Sequence, residues 1–153
     1  MVPGLSCLNL TGGYCLLGEG YALWAHEDDV RSLVDYKFFC FNGKAKFLYI
    51  SRGLEDHKTA EISFYDLNAN ELPFHRSDYK PLHNAAIPGT FEKMIKVANV
   101  LAESIDSAFV RIDLYSIVDE VFFSEITFSP CGGFLPFYPE TADGLMGKYL
   151  IIE

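Results

Sequence analysis

"FVRIDLYSIVDEVFFSEITFSP", residues 109–130, holds two β-branched and aromatic runs around a polar break at Asp119-Glu120, which is how a β-hairpin reads in sequence. Charge inside such strands needs a partner, and the register decides what Arg111, Asp113 and Glu125 meet. Residues directly opposite one another in an antiparallel pair project to the same face of the sheet. If Ile117 pairs with Val121 across a three-residue loop, Asp113 lies opposite Glu125 and Arg111 opposite Thr127. The other face then carries Val110, Ile112 and Leu114 against Phe122, Ile126 and Phe128, interrupted only by Ser116 and Ser124, and packs on the core. A two-residue turn at Asp119-Glu120 would instead send Asp113 and Glu125 to opposite faces, and no glycine marks the turn.

In the three-residue register the two carboxylates have Cβ atoms roughly 5 Å apart, where like charges repel unless a cation intervenes. Hard oxygen ligands suit Mg²⁺, which usually takes one or two carboxylates plus the phosphates of a nucleotide. Arg111 could then meet a phosphate through two parallel hydrogen bonds. A salt bridge from Arg111 to Asp113 or Glu125 on a solvated sheet face satisfies the same spacing.

Moving outward, "DYKFFCFNGKAKFLYISR" (residues 35–52) is a second hairpin around Asn42-Gly43, a pair that tolerates the φ > 0 of a type I′ turn. Phe41 then faces Lys44, and Lys37 and Arg52 lie near the open end. "TFEKMIKVANVLAESI" (residues 90–105) is the clear helix, with Thr90 as N-cap and Glu92 in its first turn. Its stripe of Phe91, Met94, Ile95, Ala98, Leu101, Ala102 and Ile105 is a core face. Residues 53–88 read as a long polar excursion with one short strand at 62–65, and connections of that length are usually functional or mobile. His57, His75 and His83 within it match no metal-ligand spacing and read as solvent-exposed. Gly132-Gly133, just past the strand that holds Glu125, make a turn able to bring backbone amides close to an anion.

The chain is 153 residues long and 50% hydrophobic, enough for one domain with a real core. The pattern of hairpins around one helix makes the fold class α+β, an antiparallel β-sheet with one or two packed helices. A net charge of −9 without a basic cluster argues against nucleic acid. Cysteines at 7, 15, 40 and 131 form no CxxC pair, as expected of free thiols in a reducing cytoplasm, so the expected localisation is cytoplasmic. No stretch approaches the ~18 to 20 apolar residues a spanning helix needs, so no membrane span is expected. Residues 1–34 are the least readable part and are set apart from a unit at 35–153. The glycines of "LTGGYCLLGEG" lack the strand-then-helix context and the lysine of a phosphate loop; a strand at 21–24 is expected there.

"DYKFFCFNGKAKF", "FYDLNANELPF", "VRIDLYSI" and "FFSEITFSPCGGFLPFYPETADGLMGKYL" resemble, in order and spacing, the C-terminal part of the teichuronopeptide-biosynthesis (TupA-like) ATP-grasp proteins, over residues 35–150. The resemblance implies ATP and Mg²⁺ as cofactors. It also implies an R-x-D then E-x-N strand pair, whose positions fall on Arg111, Asp113, Glu125 and Thr127. Asp113, Glu125 and Thr127 would be the metal ligands, with Thr127 a weaker or water-mediated ligand in place of Asn. Arg111 would steady an acyl-phosphate intermediate, and Lys37, Arg52, Gly132 and Gly133 would line the phosphate or acceptor side. The implied function is an ATP-dependent carboxylate-amine ligase of cell-surface polysaccharide or peptidopolymer synthesis. Its partners would be a nucleotide and a carboxylate or saccharide acceptor.

The family's preceding subdomain, with its phosphate-binding lysine, lid and adenine hinge, is not visible in residues 1–34. A truncated chain is therefore expected, its site completed by a second chain or a homo-oligomer. A non-catalytic binding or scaffold module is the alternative, in which loss of Asp113 or Glu125 would leave stability unharmed or improved by relieving repulsion. A role beside glycosyltransferases in polysaccharide synthesis is a further one, against which no D-x-D occurs, "EDD" at 27–29 being the nearest.

Overall fold

A turn with Asn42 at φ 49° and Gly43 at φ 76° joins β2 (Val34–Phe41) to β3 (Lys44–Arg52), with Phe41 opposite Lys44. The computed structural model describes residues 6–7, 34–54, 56 and 58–151, and the strand expected at 21–24 lies outside them. Strand β4 (Glu61–Asp66) adds antiparallel to β3, while β6 (Phe109–Ile117) and then β7 (Glu120–Thr127) add on the other side of β2. The five antiparallel strands run β7-β6-β2-β3-β4, and β1 (Ser6–Cys7) pairs parallel to β7 at the edge. Two short strands, β5 (His75–Arg76) and β8 (Phe137–Tyr138), pair separately.

The β6–β7 hairpin reaches its pairing by a route the sequence did not suggest. Its turn is two residues, Val118 and Asp119 at φ 48° and 60°, with Ile117 opposite Glu120. Such a turn matches the twist of the strands. Alone it would put Asp113 and Glu125 on opposite faces. A bulge corrects the parity: Leu114 faces Phe123 but Asp113 faces Glu125, so Ser124 is the extra residue. The expected face pairing is thereby revised, because Phe122 now lies opposite Tyr115 on the charged face and Phe123 joins the core. Phe128 packs in neither, being 57% exposed.

Helix α1 (Phe91–Glu103) covers one face of the sheet, burying Phe91, Met94, Val97, Ala98 and Ala102 against Phe38, Leu48, Ile50, Val110, Ile112 and Leu114. Thr90 precedes it without a side-chain cap bond; its hydroxyl lies 2.7 Å from that of Ser116 and ties the helix start to the end of β6. On the other face an aromatic layer of Phe39, Phe41, Phe47, Tyr49 and Phe64 packs against Phe74 and, from α2 (Thr141–Gly147), Ala142 and Met146. The excursion at 53–88 contains β4 and sends Leu82 into the first layer and Phe74 into the second. Among the described residues no helix is long and apolar enough to cross a membrane.

Candidate functional site

The alternation in "DYKFF" and "RIDLY" turns Tyr36, Phe38, Ile112 and Leu114 toward α1 and leaves Asp35, Lys37, Arg111, Asp113 and Tyr115 on the other face. The sheet then lines up Tyr49, Lys37, Asp113 and Glu125 as one row across β3, β2, β6 and β7. The next row is Phe47, Phe39, Arg111 and Thr127; on the other side run Ser51, Asp35, Tyr115 and Phe122. Charge and aromatic rings therefore share one face, charge at its middle.

Asp113 is the hub of this face. Its carboxylate is 0% exposed and accepts three hydrogen bonds, from Lys37 Nζ, Arg111 Nε and Arg111 Nη2, each at 2.7 Å. Arg111 Nη2 also donates to Thr127 Oγ1 at 3.0 Å, and the Thr127 hydroxyl donates to Glu125 Oε1 at 3.1 Å. The guanidinium stands 5.9 Å from the Tyr49 ring centroid, within cation–π reach. The salt bridge considered from spacing does form, but buried rather than on a solvated face.

Lys37 is also 3.3 Å from Asp35 Oδ1, an oxygen that makes no hydrogen bond. Ser51 Oγ, on the residue opposite, is likewise buried and unbonded. Burial pulls the pKa of Lys37 down, but the Asp113 and Asp35 carboxylates outweigh it and leave the ammonium held above its ordinary value. Burial raises the Asp35 carboxyl, with Lys37 offsetting only part of the effect. A carboxyl raised in the folded state stabilises while protonated, and that contribution is lost as pH climbs from the ordinary 3.8 through the raised value. Asp35→Asn, which mimics the protonated form, should thus unfold at a higher temperature than the wild type at pH 7. The gap should close toward pH 4 in thermal unfolding series; a gap that widens on acidification would contradict the assignment.

Hard oxygen donors are present for a divalent cation in the amount Mg²⁺ usually takes from protein. Glu125 is an exposed carboxylate directly opposite Asp113, with the Thr127 hydroxyl bonded to it. Both Asp113 oxygens are engaged by Lys37 and Arg111, so Asp113 is open to a metal only when those cations meet another anion. Among the described residues no group of three His, Cys, Asp or Glu side chains stands ready for a metal without such a co-ligand.

Of the residues singled out in the sequence, the structure brings together Lys37, Arg111, Asp113, Glu125 and Thr127. Arg52 goes elsewhere: it alternates to the α1 side of the sheet and donates to Glu61 Oε2 at 2.5 Å in an exposed pair. Gly132 and Gly133, at φ 65° and 84°, lie in a turn at Pro130–Gly133 beyond the end of β7. The His75 ring centroid lies 5.3 Å from that of Tyr138, the rings tilted by 45°, His83 is exposed, and His57 lies outside the described residues. Cys40 and Cys131 are free thiols, and burial pushes that of Cys40 up to about 12.

Four participants were missed: Asp35, Tyr49, Tyr115 and Arg76. The i, i+2 spacing of Asp35 and Lys37 carries the signal for the first. Arg76 has none, since its place depends on β5 meeting β8. Its buried guanidinium binds Asp78 at 2.9 and 2.5 Å, lies 4.6 Å from the Tyr79 ring centroid and donates to Cys131 Sγ at 3.9 Å.

No curated protein and no solved structure matches the chain significantly. The family model described as TupA-like ATPgrasp matches residues 23–151, which contain every residue of the charged row. The α+β architecture, an antiparallel sheet with two helices, agrees with that match. The chain belongs to the TupA-like ATP-grasp family.

Proposed function

We propose that the chain serves as an ATP-dependent carboxylate-amine ligase of cell-surface polysaccharide or peptidopolymer synthesis, with the Lys37, Arg111, Asp113 and Glu125 row at the phosphate end of its ATP site. The observation that carries this reading is the pairing of two buried cations, Lys37 from β2 and Arg111 from β6, with the fully buried carboxylate of Asp113, directly opposite the exposed carboxylate of Glu125 on β7. Buried cations held this close together suit phosphoryl transfer, whose catalysis is mostly positioning and charge stabilisation.

In this chemistry a substrate carboxylate takes the γ-phosphoryl group of ATP, giving an acyl phosphate and ADP. An amine then forms the C–N bond as phosphate leaves. Arg111 and Lys37 bind the phosphoryl oxygens, Arg111 through two parallel donors. Asp113 aims both cations, and Thr127 holds Arg111 Nη2 from the far side. Glu125 and Asp113 would hold Mg²⁺, which when bound neutralises phosphate charge. Either a carboxylate or a saccharide-linked acid is compatible as acceptor.

The metal assignment is testable with Mn²⁺ in place of Mg²⁺. Paramagnetic resonance titration in the presence of ATP should show a protein-bound Mn²⁺ that Glu125→Gln weakens on the order of 10- to 100-fold, without loss of stability because Glu125 is exposed. Equal Mn²⁺ binding in the variant would remove Glu125 from the ligand set.

A further inference from the structure

A cavity of about 260 Å³ opens on the same face of the sheet as the charged row, alongside the Phe39–Arg111 row and the Phe41–Phe109 pair beyond it. The sheet gives it a wall of Phe39, Phe41 and Phe109, and Leu135, Phe137 and Met146 close it from the other side. This wall is continuous with the charged site. Phe39 is the residue directly opposite Arg111 on the neighbouring strand, and Phe109 precedes Arg111 by two on the same face. Phe128 at its edge follows Thr127. Among the described residues Asp143, exposed in the first turn of α2, is the one ionisable residue lining it, and Ser129 adds a hydroxyl.

We infer that this cavity seats the hydrocarbon part of the amine substrate, a primary amine with an aromatic or branched aliphatic body whose ammonium is recognised by Asp143. The inference rests on the ligase reading above and deepens it by naming the class of amine. Size supports it: a cavity of about 150 Å³ holds a benzene-sized ring, so this one holds a ring with a short chain. Chemistry supports it too. An apolar wall with few polar groups is the ordinary composition of a small-molecule site. With an acid and, among the described residues, no cation in the lining, a carboxylate or phosphate body is rejected and an ammonium accepted. The shared Phe39 and Phe109 wall sets such an amine beside Arg111, where the ammonium would give a proton to solvent before its nitrogen bonds the acyl carbon and phosphate leaves.

The test is a calorimetric titration of the full chain with 2-phenylethylamine, ethylamine and 3-phenylpropionate, each with and without Mg·ATP. The expected result is 2-phenylethylamine binding about tenfold or more tighter than either comparator, and about tenfold weaker binding in Asp143→Asn, whose exposed side chain can be changed without unfolding the protein. Met146→Trp, which fills the cavity, should abolish binding, its folding checked by circular dichroism. Binding of 3-phenylpropionate as tight as the amine, no preference over ethylamine, an unaffected Asp143→Asn, or no binding because another part of the chain fills the cavity would each overturn the inference. Because the amine is titrated both without and with nucleotide, a lost amine site and a lost ATP site give different results.

Discussion

Asp113→Ala should lower the free energy of unfolding by about 3–5 kcal/mol, the usual cost of removing one partner from a buried ion pair. The loss follows from what the alanine leaves behind. Lys37 and Arg111 are each about nine-tenths buried, and three 2.7 Å hydrogen bonds end on this one carboxylate. Without it Arg111 keeps a neutral hydroxyl, Thr127, and Lys37 keeps only Asp35, whose carboxyl burial already disfavours as an anion. Repulsion between Asp113 and Glu125, the reason a scaffold protein would gain from losing either, is therefore not the dominant force at this position. Urea unfolding at pH 7 measures the effect, and a loss under about 1 kcal/mol with an unchanged denaturant slope would show that Asp113 is not the hub described.

Phe64→Ala should cost about 3–5 kcal/mol, at the upper range for a core aromatic. Phe64 is 0% exposed and its ring lies 5.0 Å from Phe74, 5.5 Å from Tyr49 and 5.6 Å from Phe137, centroid to centroid. Aromatic pairs at such separations add about 0.5–1.5 kcal/mol each beyond the area they bury. Phe74 and Phe137 flank and form the β5–β8 pair that carries Arg76, so the cavity left by alanine loosens that pair as well as the layer beneath it. Amide exchange at 74–76 and 137–138 should accelerate with the drop in stability. A variant that loses stability while those amides remain as protected as before would separate the pair from the aromatic layer.

Local chemistry made part of this fold legible. Asn42-Gly43 specifies its own turn, and the apolar stripe from Phe91 to Ala102 specifies its own helix, because each depends on neighbours a few residues away. The pairing of Arg111 with Thr127 and of Asp113 with Glu125 matches the three-residue-loop register, although the structure has a two-residue turn and a bulge instead. The way that pairing is reached was not legible. Val118 is a poor residue for φ > 0, so nothing in the sequence announces a two-residue turn there, and the compensating bulge at Ser124 has no residue signature. Phe122 and Phe123 changed faces as a result. Thr90 was open to misreading for a related reason: a hydroxyl at a helix start can cap it or bond elsewhere, and the nearby Ser116 decides. Arg52 turned to the α1 side and Arg76 was buried without any local signal, because side-chain parity on β3 and the meeting of β5 with β8 are set by long-range pairing. The four ordered motifs reached further than these physical signals, since they identified the family over a stretch where charge spacing alone left a salt bridge and a metal site equally open.

Calorimetric titration of ATP into the purified protein, with and without Mg²⁺, is the measurement closest to the claim that the charged row holds nucleotide phosphates. Binding that requires Mg²⁺ and weakens about tenfold or more in Lys37→Gln is the predicted result, since Lys37 would contribute one charge-assisted contact to phosphate. Absence of binding to the folded chain, or equal affinity in wild type and Lys37→Gln, would contradict it and leave the buried ion cluster as a structural element of the sheet.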